Sequence, residues 1–335
     1  MNGDVMLTRY PVDHRTLSDE DHLIMKVVRL YYEHDLTQAQ VAKRMGFSRP
    51  KVSRLIAEGK ARGLVKVEIA EPTGDFVPLE ISLEDRYGLS EALVVASAED
   101  RRGTDLNAGM AGGAVLARLC TRATVLGVAW GRSMRALADA MPQRAFMCKK
   151  IVPLLGGMGR VKGSLHSNQI GTTLAEKLNV DCPYLVAPAI ARSPQSRAEL
   201  MEMPGIEDVL AEGIACDVAV VGAGGLLPAS TIVQAGYFEL GEFLDLEEQG
   251  VVGEICCHFL DAEGNPCLPE FSERIVGLTL AQIKAIPKVV GIATGAEKAP
   301  SLAAVLKGGY VSTLVCDREL ALALLKVEQR RDLAG

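Results

Sequence analysis

Two kinds of hydrophobic pattern divide the chain. From Ser18 to His34 apolar residues recur at helical spacing, with Leu23, Ile24, Val27, Val28, Leu30 and Tyr31 on one face behind a capped start at Ser18-Asp19-Glu20-Asp21. Two shorter helical patterns follow. Val41, Ala42 and Met45 mark the first; Val52, Leu55 and Ile56 mark the second. Thr37 and Gln40 have capping-box spacing, in which hydroxyl and amide satisfy each other's free backbone N–H groups. Gly46 ends the first pattern at a point where a sharp turn needs positive φ. Ser48 caps the second, and Pro50 sits in its first turn, where a missing N–H removes no helical bond. Ala42 is small enough for two helices to cross over it. The pattern predicts a helix-turn-helix with residues 48–62 as its recognition helix and 18–34 as its scaffold. LVKVEIA (64–70) alternates apolar with charged residues and predicts a short half-exposed strand, one side of a small wing. Glu71-Pro72-Thr73-Gly74-Asp75 is turn-rich and marks a boundary.

Beyond it, apolar runs of strand length recur at Ala92–Ala96, Val125–Trp130, Ile151–Leu155, Tyr184–Ala187, Val218–Val221, Val289–Ala293 and Ser312–Cys316. Helical patterns intervene at Asp105–Leu119, Met134–Met141, Gln169–Leu178, Glu199–Ala215, Ser301–Leu306 and Arg318–Glu328. Continuous apolar strands alternating with helices predict an α/β domain with a mostly parallel sheet buried on both faces. Val251–Leu268 differs: VVGEICCHFL followed by DAEGNP predicts an antiparallel hairpin turning at Gly264. Glycines gather where strands end: Gly131; Gly156, Gly157 and Gly159; Gly222, Gly224 and Gly225; and Gly295. A single such glycine serves a turn. Four groups at equivalent edges point to a pocket, because open α/β sheets bind ligands at the carboxyl ends of their strands and helix N-termini favour anions. Neither G-x-G-x-x-G between a strand and a helix nor G-x-x-x-x-G-K-[ST] occurs, which removes the common nucleotide fingerprints.

Charge sharpens this division. Residues 37–66 carry eight basic side chains against the single acid Glu58, a charge of +7 on a chain of net −6, so the remainder sums to −13. Such asymmetry suits one surface that attracts phosphates and another that repels them. The length of 335 residues is enough for two domains and a large core. No uncharged apolar run approaches the ~18–20 residues of a membrane span, and the first residues have no signal-peptide core. Eight scattered cysteines without a C-x-x-C pair and five dispersed histidines give no zinc spacing, and a reduced cytoplasm is expected, with no cofactor.

The chain resembles the SorC-type bacterial transcriptional regulators over roughly residues 20–328. The resemblance is dense in RLYYEHDLTQAQVAKRMGFSRPKVSRLIAEGKARGLVKVEI, and continues in GVAWGRSM, PLLGGMG with SNQI, DVAVVGAG, VVGEICCHFLDAEGN, GIATGAEKAPSLAAVLKGG and LVCD. It implies a winged helix-turn-helix domain joined to a Rossmann-like domain related to phosphosugar isomerases and deaminases. The expected division is a flexible arm at 1–17, a DNA-binding domain at 18–70, a linker at 71–78 and an effector-binding and oligomerisation domain at 79–335. The implied function is regulation of a sugar or polyol catabolic operon, as a repressor, by a homotetramer (a dimer of dimers). Its partners would be double-stranded operator DNA and a sugar phosphate or polyol, with no membrane. Thr37, Gln38, Ser48 and Pro50 are expected at the DNA, with Arg49, Lys51, Ser53 and Arg54 near the start of the recognition helix. For the effector, the resemblance carries over Gly131, Arg132, Ser133 and Met134; Gly156, Gly157 and Gly159; His166 and Asn168; and Glu254 and Lys298. Members often have two small hydroxyl residues where this chain has Arg132-Ser133. Leu155 precedes Gly156, so no lysine stands there to form an imine. The other reading, a phosphosugar isomerase or deaminase with an added helical domain, is weakened by GAGGLLPAS after DVAVV, which lacks an acid where those enzymes place one.

Overall fold

A computed structural model describes residues 18–65, 76–159, 162–225, 230–238 and 240–327. The chain divides into two compact units, Met1–Asp75 and Phe76–Gly335. In the first, α1 (Asp19–Tyr32) begins where the Ser18 hydroxyl accepts from the Asp21 N–H at 3.1 Å. For α2 (Gln38–Met45) the capping box forms: the Thr37 N–H donates to Gln40 Oε1 at 2.8 Å, and the Gln40 N–H donates to Thr37 Oγ1 at 3.3 Å. Gly46 turns the chain with φ 68°. Ser48 caps α3 (Arg49–Ala61), with Pro50 in its first turn. The expected apolar positions Ile24, Val27, Val28, Leu30, Val41, Ala42, Val52, Leu55 and Ile56 form one core. Close crossing of α1 and α3 also depends on Gly59, where a Cβ would lie 2.9 Å from Val28 Cγ2 and 3.0 Å from Ile24 Cγ2. The wing strand expected at 64–70 falls largely outside the described residues, as does the arm at 1–17. Thr37→Ala removes the hydroxyl that accepts the Gln40 N–H and leaves the backbone N–H of residue 37 to donate to Gln40. It should lower the stability of this unit by about 1 kcal/mol, read by denaturant unfolding followed through the helical circular dichroism signal.

In the second unit, α4 (Val77–Tyr87) leads into a six-stranded sheet. Its strands are β1 (Glu91–Val95), β2 (Val125–Val128), β3 (Lys150–Pro153), β4 (Val218–Val221) and two near the end, β8 (Lys288–Ala293) and β9 (Thr313–Asp317). Between them β5 (Ala223–Gly225), β6 (Val251–Ile255) and β7 (His258–Asp261) form a separate antiparallel sheet. All pairings in the large sheet are parallel, in the order β1-β9-β8-β4-β2-β3. α5 (Arg101–Leu119), α6 (Arg132–Ala140) and α7 (Ser167–Leu178) alternate with the early strands. β4 and β9 are buried throughout, as their unbroken apolar runs require. From β2 the chain steps outward to β3, then returns to β4 on the other side and continues to β8 and β9. The order therefore reverses between β2 and β4, the switch point at which open α/β sheets form a crevice.

Three sequence expectations change. Tyr184–Ala187 is not a strand. Asn168 takes both polar groups of Leu185, donating to its carbonyl and accepting its N–H, each at 2.9 Å, and Tyr184 and Val186 are left exposed. The helix at Glu199–Ala215 is two, Pro194–Met201 and Pro204–Ile214, interrupted before Pro204. The hairpin turns at Cys256-Cys257, not at Gly264; both cysteines have left-handed backbone, φ 49° and 69°, as a two-residue turn requires. Asp261 instead orders the loop around Gly264, accepting N–H bonds from Glu263 and Asn265 at 2.9 and 2.8 Å.

Candidate functional site

A cavity opens at the carboxyl ends of β2 and β4, where the strand order reverses. One wall is the turn from β2 into α6. Gly131 makes it with φ 105°, backbone that favours glycine, while its N–H donates to the Leu165 carbonyl at 3.1 Å. No side chain caps α6, so the first-turn N–H groups of Arg132 and Ser133 face the cavity with the positive end of the helix dipole. Ser133 is buried and Arg132 is exposed. Met134 is wholly buried below them in the core, so it supports the turn and does not line the cavity.

Across from this turn stands Lys298, on the 3-10 turn Ala296–Lys298 that follows β8. The turn is tied from several sides. Gly295 has φ 91° and donates its N–H to Asp317 Oδ1 at 2.7 Å, and Arg101 donates to the Thr294 carbonyl at 2.8 Å and pairs with Glu297. Lys298 is only 6% exposed. Among the described residues its ammonium has neither a hydrogen-bond acceptor nor an ion-pair partner. Burial, then the positive charges of Arg101 and Arg132, lower its pKa from 10.5 to about 8.

Glu254 on β6 supplies the third wall. Its Oε2 accepts the Cys257 N–H at 2.8 Å, a bond available because the left-handed cysteine turn points that N–H back. The carboxylate lies across Gly224 on β5, and a Cβ there would collide with Oε1. Burial raises the Glu254 pKa to about 7, against the opposing effects of the Cys257 N–H and the Lys298 charge. Glu254 and Lys298 line the same cavity without forming an ion pair. The helix Ala299–Lys307 closes against β5 and β6, its Ser301 hydroxyl donating to the Gly224 carbonyl.

Five of the expected effector residues therefore meet at one place: Gly131, Arg132, Ser133, Glu254 and Lys298. Six do not line this cavity. Besides Met134, the loop after β3 is committed to packing: Gly156 donates to the Val276 carbonyl at 2.9 Å, Gly157 to the Ala187 carbonyl at 2.8 Å, and Gly159 to the Tyr237 hydroxyl at 3.0 Å. The His166 ring lies against Gly157, and Asn168 is buried on Leu185. The strand-end glycines Gly222, Gly224 and Gly225 line the cavity instead, with residues not singled out beforehand, including Thr231 and Cys256. The glycine run after β4 had signalled a strand end, but not that Ala223–Gly225 would itself pair as β5. Among the described residues no cluster of His, Cys, Asp or Glu is placed to hold a metal, and no helix is long and apolar enough to cross a membrane.

In the first unit, Thr37, Ser48, Arg49, Pro50, Lys51, Ser53 and Arg54 are exposed and Gln38 is half-buried. The Lys51 ammonium sits 4.0 Å from the Phe47 ring centroid. Arg62 is different: its guanidinium pairs with Glu20 and Asp21, each at 2.9 Å, and with Glu58, so its charge is spent within the unit.

A helix-turn-helix with an exposed basic recognition helix, joined in one chain to an α/β unit with a cationic cavity at its switch point, defines a ligand-binding transcriptional regulator. Residues 71–326 match the Sugar-bind family model, a sugar-binding domain, and residues 28–74 match the MarR family. The chain is similar to the sorbitol operon regulator of Klebsiella pneumoniae, 32% identical over 92% of this chain and 99% of that protein. It is similar also to the deoxyribonucleoside regulator of Bacillus subtilis, 29% identical over 92% and 98%. The crystal structure of the full-length Klebsiella regulator superposes with a TM-score of 0.73, covering 92% of this chain and all of that one. The chain belongs to the SorC-type family of sugar-binding transcriptional regulators. These relatives are regulators and not enzymes.

Proposed function

We propose that the protein is a DNA-binding regulator of a sugar or polyol catabolic operon, a repressor, whose operator binding changes when a phosphorylated sugar or polyol fills the cavity between β2 and β4. The observation that carries this reading is Lys298, a buried ammonium without a partner among the described residues, in the cavity that the uncapped start of α6 also lines. A phosphate accepting from the amides of Arg132 and Ser133 and from Lys298 satisfies donors that the protein leaves open. Glu254 then meets ligand hydroxyl groups. The names of relatives, a sorbitol operon regulator and a deoxyribonucleoside regulator, support a carbohydrate-derived effector.

On the DNA side, Arg49, Lys51, Ser53 and Arg54 reach into the major groove, while Thr37, Gln38, Ser48 and Pro50 sit at helix starts suited to backbone phosphates. One such helix reads a half-site, so the protein acts as a homo-oligomer, a dimer of dimers assembled through the second unit. Arg49→Ala and Arg54→Ala should each weaken operator binding, by ~1–3 kcal/mol at one base position for a bidentate base contact, or evenly across sequences for a phosphate contact. Fluorescence anisotropy at one salt concentration measures this, and unchanged affinity in both variants removes α3 from the DNA. For the effector, sugar phosphates should raise the melting temperature where the matching free sugars do not. Stabilisation by free polyols alone would overturn the phosphate reading.

A further inference from the structure

The positive charge around this cavity exceeds what one phosphate requires. Lys298 and Arg132 both line it, and neither is paired with an acid among the described residues. Their neighbours are compensated: Arg135 pairs with Asp139 on α6, and Arg101 with Glu297 and Asp105. Arg132 also occupies the first position of α6, where the helix dipole disfavours a cation. Its charge and that of Lys298 oppose each other. Among the described residues Glu254 is the one acid that lines the cavity, and it is held across Gly224 by the Cys257 N–H without an ion pair to either cation. Two cations and a helix start crowded together at a cost to one another form a site completed by a ligand with more than one acidic group.

The two cations differ in place and in chemistry. Lys298 is a point charge buried at the cavity wall across from the α6 amides, whereas Arg132 is exposed at the cavity's edge. Guanidinium presents a planar fork of donors that matches a carboxylate with two parallel bonds. A sugar phosphate that enters phosphate first leaves its far carbon toward solvent, within the province of Arg132. Resting on the phosphate site above, we propose that the effector is a phosphorylated sugar acid, its phosphate held by Lys298 and the α6 amides and its terminal carboxylate by Arg132.

A matched pair of probes isolates the carboxylate. Sorbitol 6-phosphate and 6-phosphogluconate share a six-carbon chain and differ only at the first carbon, hydroxymethyl in one and carboxylate in the other. Calorimetric titration of the wild-type protein at fixed pH and salt should give about ten- to a hundredfold tighter binding of 6-phosphogluconate, the range expected of a hydrogen bond to a charged group. Arg132→Ser and Arg132→Gln should each bring the ratio of the two affinities close to one, whatever happens to either affinity alone. The glutamine variant keeps length and polarity, so it separates charge from bulk, and a melting curve for each variant reports its fold. A wild-type ratio near one, or a ratio that survives either substitution, overturns the proposal. Failure of both probes to bind wild-type protein would instead remove the phosphate site on which it rests.

Discussion

Lys298→Met should leave operator binding as in the wild type and raise the effector concentration needed to change it by roughly ten- to a hundredfold, the equivalent of ~1.5–3 kcal/mol for a hydrogen bond to a charged group. The same substitution should make the protein more stable at neutral pH. The sign follows from the lowered pKa: the folded state holds the Lys298 proton less tightly than the unfolded chain does. Below about pH 8 the buried charge costs stability in full, and the cost fades as pH rises toward the ordinary lysine value of 10.5. A difference of this size corresponds to roughly 3 kcal/mol, most of which methionine, apolar and of similar length, should recover. Operator titrations with effector, paired with denaturant unfolding at pH 7, test both halves. Identical effector midpoints would remove Lys298 from the binding site. A loss of stability would mean that its ammonium is satisfied in the free protein.

Effector affinity should peak between about pH 6 and pH 7 and fall by about a hundredfold by pH 8.5. A phosphate monoester is half-way through its second ionisation near pH 6, which sets the acid limb. On the alkaline side, Glu254 is neutral below about pH 7 and ionised above it, bringing negative charge into the cavity with the ligand. Lys298 loses its charge above about pH 8. At pH 8.5 the first change costs about thirtyfold and the second about fourfold, because each pH unit past a required protonation state costs about tenfold. Glu254→Gln should remove the larger part of the alkaline limb. A flat profile from pH 6.5 to 8.5 at constant ionic strength would exclude both groups from contact with the ligand.

The DNA-binding unit was legible because its determinants are local. The Thr37–Gln40 box, Gly46 and Ser48-Arg49-Pro50 act within four residues of themselves, and the structure forms each of them. The strands of the large sheet were legible from their apolar runs for the same reason. What escaped depends on partners distant in sequence. Tyr184–Ala187 has strand-like composition, yet Asn168 satisfies the backbone that a neighbouring strand would have taken. The β6–β7 turn lies inside an apolar stretch on two cysteines, residues that carry no turn signal, while Gly264 does and serves the next loop. Glycines at strand ends are ambiguous in the same way. Gly131 opens toward a cavity, and Gly156 and Gly159 admit neighbouring chain; local sequence does not separate the two uses. Lys298 and Glu254 came from the resemblance, but their burial, which sets their chemistry, arises from Arg101, Gly224 and Cys257 acting from other elements.

The uncapped first turn of α6 has a consequence for how such a protein diversifies. In the proposed site its amides bind through the backbone, so they keep their donors with any residue but proline at position 132. That side chain is exposed, without a partner among the described residues, and set against the helix dipole, so exchanging it disturbs no packing. With the effector held as proposed, a lineage can alter its taste in metabolites by single substitutions at this position while the sheet, the reading head and the buried lysine stay as they are. The fold is inherited, and the diet is free to drift.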